Sequence, residues 1–168
     1  MKKIILFITL LISIFSFAQK IEINSSTAVA NFNYYSKSAK GTLGNVKAEI
    51  NLNLSDLSKS VISGSADVSK LNTNNKTRDE HLMAEDYFDV KSYPKMKFRS
   101  SLIYKKEGSY FVKGNLTIKD IKKEVIFRMN IKEDSMTLSL DIYALDFGVA
   151  IKNDRDHSRV GVNLVFKI

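Results

Sequence analysis

The sequence predicts an all-β domain: a closed antiparallel barrel of about eight strands with one short helix capping one end. Three observations carry this. Apolar and polar residues alternate with period two along most of the chain, the connections are short and rich in turn residues, and a single block from Asn72 to Pro94 breaks the pattern with a helix start signal and the only proline.

The first residues are set aside before the strands are read. "MKKIILFITLLISIFSFAQK" has a basic start at Lys2 and Lys3, an apolar run from Ile4, and Ser16-Phe17-Ala18 where a signal peptidase requires small residues. The run is shorter than the roughly 20 residues of a spanning helix. Residues 1–18 are therefore expected to be a cleaved signal peptide, leaving residues 19–168 as one periplasmic or secreted domain. The chain has no cysteine, so neither a lipid-anchored cysteine, nor disulfides, nor a thiol nucleophile is available. Stability has to come from a packed core.

Strand by strand, Val46, Ala48, Ile50, Leu52 and Leu54 share one parity with Lys47, Glu49, Asn51 and Asn53 on the other. The same alternation recurs in Ile62 to Val68, in Leu116 and Ile118, in Val125 to Ile131, in Met136 to Ile142, and in Val160 to Ile168. Turn chemistry is read at Lys40-Gly41, Leu43-Gly44, "NLSDLSKS", "KKEGS", "KDIKK" and "KEDS". Strands joined this way pair with their sequence neighbours. Closure into a barrel removes the edges that such a sheet would otherwise expose.

In the exceptional block, "NTNNKT" reads as a polar loop, and Thr77 followed by Glu80 reads as a capping box. Asp79 and Glu80 suit the positive end of a helix dipole. The helix is expected to run through "RDEHLMAEDYF", bringing Met83 near Tyr87 and Ala84 near Phe88 at four-residue spacing. Pro94 forces Tyr93 toward extended backbone and marks re-entry into a strand. Such an excursion makes a plug over one mouth, its apolar side toward the lumen.

The formal charge is +8, and +6 once Lys2 and Lys3 leave with the signal, with 24 basic against 18 acidic residues. The lysines are scattered and lack the dense run of a phosphate-backbone footprint, so no nucleic acid partner is expected. His81 stands among Arg78, Asp79, Glu80 and Glu85, and His157 beside Asp154 and Asp156. Neither has a metal-ligand spacing such as His-Glu-x-x-His. Both read as local surface or packing residues, so no enzyme activity, metal or cofactor is expected.

"ADVSKLNTNNKTRDEHLMAEDYFDVKSYPKMKFRSS", then "GNLTIKDIKKEVIF" and "LDFGV", resembles the YceI-like lipid and polyisoprenoid-binding family. The most specific part is Arg78-Asp79-x-His81-Leu82 with Tyr87-Phe88-Asp89-Val90 and Tyr93-Pro94 behind it. The resemblance implies an eight-stranded lipocalin-like barrel whose apolar cavity holds a polyisoprenoid, quinone or similar amphiphile in an exported protein. Two positions depart from the family pattern: Asp120, where glycine is frequent, and Ala144, where arginine is frequent before "DFG".

On these grounds the ligand-binding candidates are Phe32, Tyr34, Met83, Phe88, Phe98, Phe127 and Phe147, with Lys70, Lys76 and Arg78 as candidate headgroup contacts. The expected partner is an isoprenoid lipid, with peripheral membrane contact and homodimerisation both compatible with the sequence. The competing reading is a barrel filled by its own side chains that binds a protein partner, because eight strands enclose either a filled core or one small ligand.

Overall fold

A computed structural model describes residues 20–168 apart from residue 152, and the signal peptide expected over residues 1–18 lies outside these. The chain forms strands β1 (Lys20–Tyr34), β2 (Ala39–Asn53), β3 (Val61–Asp67), β4 (Leu71–Asn72), helix α1 (Lys76–Met83), then β5 (Lys95–Lys106), β6 (Ser109–Ile118), β7 (Ile121–Ile131), β8 (Ser135–Tyr143) and β9 (Arg159–Lys167). The order β1-β9-β8-β7-β6-β5-β3-β2 closes through pairing of β2 with β1, giving an eight-stranded antiparallel barrel. The two residues of β4 add to the end of β2 through Thr42 and Leu43.

Period-two patterning sets the inside. Val46, Ala48, Ile50 and Leu52 on β2, Ile62 and Ala66 on β3, Phe127 and Met129 on β7, and Met136 and Leu138 on β8 are all buried. On β5 a bulge between Ser100 and Leu102 shifts the parity. It brings Ile103 inside at 3% exposure and leaves Leu102 outside at 51%. The packed core occupies the end of the barrel where the β2–β3, β5–β6 and β7–β8 connections lie. The opposite end carries the β1–β2 turn, α1, the β6–β7 turn and the long β8–β9 connection.

Several expectations shift. Strands β1 and β2 are each fifteen residues long. Lys40-Gly41 and Leu43-Gly44 lie inside β2, and the turn falls earlier, at Tyr35–Ser38. Gly41 is needed there because a Cβ would come within 2.5 Å of the Phe32 ring and of the Asn72 carbonyl. The ring lies across the bare backbone of the neighbouring strand. In the β6–β7 turn the left-handed residue is Lys119, not Asp120.

The helix also starts and ends elsewhere. Its cap is Asn75, whose side chain accepts from Arg78 N, and not Thr77. Glu80 pairs instead with Lys76 one turn away, at 3.8 Å. The helix stops at Met83 because Phe88 N donates to Leu82 O and Val90 N to Met83 O, occupying its last carbonyls. The backbone of Ala84 is extended, and the chain folds back through Asp89 in the left-handed region. Tyr87 and Phe88 thus ride on a turn and not on a helix face.

Candidate functional site

The helix-bearing end of the barrel is hollow. A cavity of about 690 Å³ runs down from beneath α1 and is walled by Ala30, Phe32 and Tyr34 from β1, Leu43 from β2, Ile118 from β6, Ile142 from β8, and Val160 and Val162 from β9. Below it a void of about 110 Å³ lies against Phe98, Leu116, Phe127, Leu138 and Phe166. Ala30, Leu43, Met96 and Val162 border both spaces. Further down the core is solid, so the lumen is neither empty nor filled throughout.

The roof has two parts. Helix α1 and the turn after it present Thr77, Arg78, His81, Leu82, Tyr87 and Phe88 to the cavity. The underside of the plug is therefore mixed: the helix gives mostly polar groups, and the apolar cover comes from the turn. Arg78 and Asp79 grip the preceding loop through Thr73, which is 4% exposed. Arg78 Nε donates to Thr73 Oγ1 at 2.8 Å and Nη2 to Thr73 O at 2.7 Å. Asp79 Oδ1 accepts from Thr73 N at 2.9 Å and from Thr73 Oγ1. The adjacent arginine and aspartate satisfy every polar group of one buried threonine, which gives the Arg-Asp pair a structural reason.

The second part of the roof is the β8–β9 connection. A short 3₁₀ turn, Ala144–Phe147, ends at Gly148 with φ +68°, a conformation glycine adopts without steric cost. Ala144, Phe147 and Val149 are buried against the cavity on either side of this reversal. Arg155 clasps Asp146 with two bonds of 2.8 and 2.7 Å and lies 3.7 Å over the Tyr143 ring. That guanidinium holds the Asp146 carboxyl below its ordinary value of 3.8. Nearby, Asp141 receives Tyr35 Oη at 3.2 Å and the Arg159 guanidinium, whose pKa it raises.

Among the described residues the cavity lining contains no carboxylate; its charged side chains are Lys37 and Arg78, and His81 also lines it. Among the described residues no cluster of three His, Cys, Asp or Glu side chains is placed to hold a metal. His157 is exposed and its Nδ1 lies 3.2 Å from Asp154 Oδ1, a local contact within the loop.

Of the residues singled out in the sequence, Phe32, Tyr34, Phe88, Phe147 and Arg78 line the main cavity. Phe98 and Phe127 stand lower, edge to face at 4.9 Å, against the small void. Met83, Lys70 and Lys76 line neither space. Met83 was tied to a longer helix; Lys70 packs over Gly44, and Lys76 points to Glu80. Sequence reasoning missed Ile142, Val149, Val160 and Val162. Their inward parity was legible for the strand residues, but parity does not give height along the barrel axis.

The model of the YceI-like domain matches residues 20–168. The chain belongs to the YceI-like family. A UPF0312 protein of Photorhabdus laumondii is 41% identical over 59 residues, 35% of this chain and 31% of that protein. One of Serratia proteamaculans is 31% identical over 70 residues, 42% of this chain and 36% of that protein. These matches span about a third of the length of the curated relatives. Among solved structures, Burkholderia cenocepacia BcnA superposes with a TM-score of 0.73 at 22% identity, covering 83% of this chain and 96% of that one. A polyisoprenoid binding domain from Saccharophagus degradans, implicated in plant cell wall breakdown, gives 0.59 at 12% identity over 86% and 94%. At these identities the likeness is one of fold.

Proposed function

We propose that this YceI-like chain is an exported carrier that encloses a polyisoprenoid or similar amphiphilic lipid in the upper lumen and performs no chemistry on it. The observation that carries the reading is the apolar cavity of about 690 Å³, sealed below by the core and roofed by a helix and a loop. Its size falls in the range of pockets that bury a small molecule almost wholly. The name of the Saccharophagus domain supports the same ligand class. Removal of residues 1–18 and export to the periplasm belong to this proposal, on the pattern of the leader.

At about 30 Å³ per heavy atom, a water molecule's share of the liquid, the cavity holds roughly 20 heavy atoms, a chain of about four isoprene units. Each buried methylene gains about 0.8 kcal/mol, so affinity comes from the tail, and length and girth set the selectivity. The hollow upper lumen counts against a filled barrel. So does the outer surface, where the exposed large apolar residues Leu102 and Ile126 are separated by Lys113 in the strand between them.

Val162 borders both spaces and faces inward from β9. Val162→Phe is expected to abolish uptake of a fluorescent prenyl lipid while the barrel's circular dichroism and cooperative melting persist. Undiminished uptake by a folded Val162→Phe protein would place the lipid outside the lumen and overturn the reading.

A further inference from the structure

The barrel wall is zipped to the helix end everywhere except between β7 and β8. On one side β7 stays paired with β6 up to Ile121 opposite Ile118, and on the other β8 stays paired with β9 up to Tyr143 opposite Arg159. Between β7 and β8 the ladder runs only from Ile131 opposite Met136 to Arg128 opposite Ser139. Above that level residues 121–127 and 140–143 have no ladder partner across the gap among the described residues. The split runs beside the hollow part of the lumen, since Leu140 borders the small void and Ile142 the main cavity. Among the described residues β7 gives nothing to the main cavity; between Ile118 and Ile142 its wall is made by Ala144, Phe147 and Val149.

Side chains, not backbone, close this gap. Phe147, Ala144 and Val149 are buried in it with Ile121 and Val125 of β7 and Ile142 of β8 packed around them. The turn's own backbone bonds stay inside it, Gly148 N to Leu145 O and Val149 N to Ala144 O. Its polar fasteners return to its own connection: Asp146 accepts from Arg155, and Leu145 N donates to Ser158 Oγ. Among the described residues no hydrogen bond joins residues 144–149 to β7. An open strand edge invites pairing with another chain, and the unpaired stretch of β7 carries exposed Lys122, Lys123 and Glu124, charges that discourage it.

Parting the wall here breaks no ladder bond, only apolar contacts and one ion pair. Lifting α1 breaks the hydrogen bonds that Arg78 and Asp79 make to buried Thr73. We propose that residues 144–149 form a lateral gate, and that the amphiphile enters and leaves sideways between β7 and β8 when this turn swings out while α1 stays in place. This rests on the lipid-carrier reading above and adds its route. A gate shut alike in the empty and the loaded protein sets uptake and release together and leaves affinity unaltered.

The test follows release of fluorescently labelled geranylgeraniol from the loaded mature protein into excess phosphatidylcholine vesicles by stopped flow. Wild type is compared with Asp146→Asn, Arg155→Gln and Asp79→Ala. The two clasp variants are expected to release the lipid about threefold to tenfold faster, the range for losing a partly exposed bidentate pair. Their equilibrium partition between protein and vesicles is expected to stay at the wild-type value. Asp79→Ala, which frees the helix, is expected to release the lipid at the wild-type rate.

Wild-type release from both clasp variants, or a larger acceleration by Asp79→Ala than by either, would overturn the gate and leave the carrier reading standing. Weakened binding by the clasp variants would make the turn a fixed part of the binding wall and overturn the gate as well. Failure of wild type to take up the labelled lipid would take down both proposals.

Discussion

Replacing Asp79 by alanine tests whether the helix is a separately anchored lid. In the wild type, Asp79 Oδ1 accepts from the backbone N–H of Thr73 at 2.9 Å and from its hydroxyl, and Thr73 is 4% exposed. Removing the carboxylate deletes a charge-assisted bond to a buried N–H, worth about 1.5–3 kcal/mol, and strands that donor at a cost of about 1–3 kcal/mol. These overlap, since the loop relaxes toward water, so about 3 kcal/mol is the working figure for local opening. At 1.4 kcal/mol per tenfold, that raises the open population roughly 100-fold. Native-state hydrogen exchange reads it directly. The amides of Ala84, Tyr87, Phe88, Val90 and Tyr93, all hydrogen-bonded within this block, are expected to exchange about 100-fold faster at neutral pH. Those of β7 and β8 are expected to keep wild-type rates. Unchanged exchange in the block, or acceleration spread over the whole barrel, would refute the separate anchoring of the lid.

The Asp146–Arg155 clasp sets an acid limit on the loop roof. Because Arg155 lowers the folded-state pKa of Asp146, its contribution is complete above 3.8 and is lost as pH falls through the depressed value. Loop protection in hydrogen exchange is expected to collapse in that acid range, and Asp146→Asn is expected to abolish the transition. Gly114→Ala is expected to destabilise the barrel by about 1–3 kcal/mol or more in denaturant melts. Its Cβ would strike the Arg99 carbonyl and sit 2.7 Å from Ser100 Cα, both backbone atoms. Phe98→Ala is expected to cost about 3–5 kcal/mol and to move the preferred tail length up by about one isoprene unit, the volume of the ring; competition binding across a prenyl series checks this.

The barrel was legible because inward apolar residues recur at every second position in β7, β8, β9 and in β2 from Val46 onward. The positions of the turns were less so. Gly41 looked like a turn residue, yet its missing side chain serves the Phe32 ring on the adjacent strand, a contact that no local rule exposes. Thr77 and Glu80 had the spacing of a capping box, but Asn75 took the cap and Lys76 took the glutamate. The Arg78-Asp79 pair stood out as a motif, while its partner Thr73 was hidden because nothing in a linear sequence marks a threonine as 4% exposed. Phe98 and Phe127 were expected to line the lumen, and the structure sets them below the main cavity, against the small void, because height along the axis depends on strand stagger. Val149 depends on the reversal at Gly148, whose φ of +68° is set in three dimensions.

The most direct test of the carrier reading is native mass spectrometry of the protein purified from its own host without detergent, followed by organic extraction of whatever is bound. The expected result is a polypeptide beginning at Gln19 that carries one prenyl-chain amphiphile, its tail close to the length the upper lumen can enclose. A ligand-free protein that also takes up no added prenyl lipid would contradict the account.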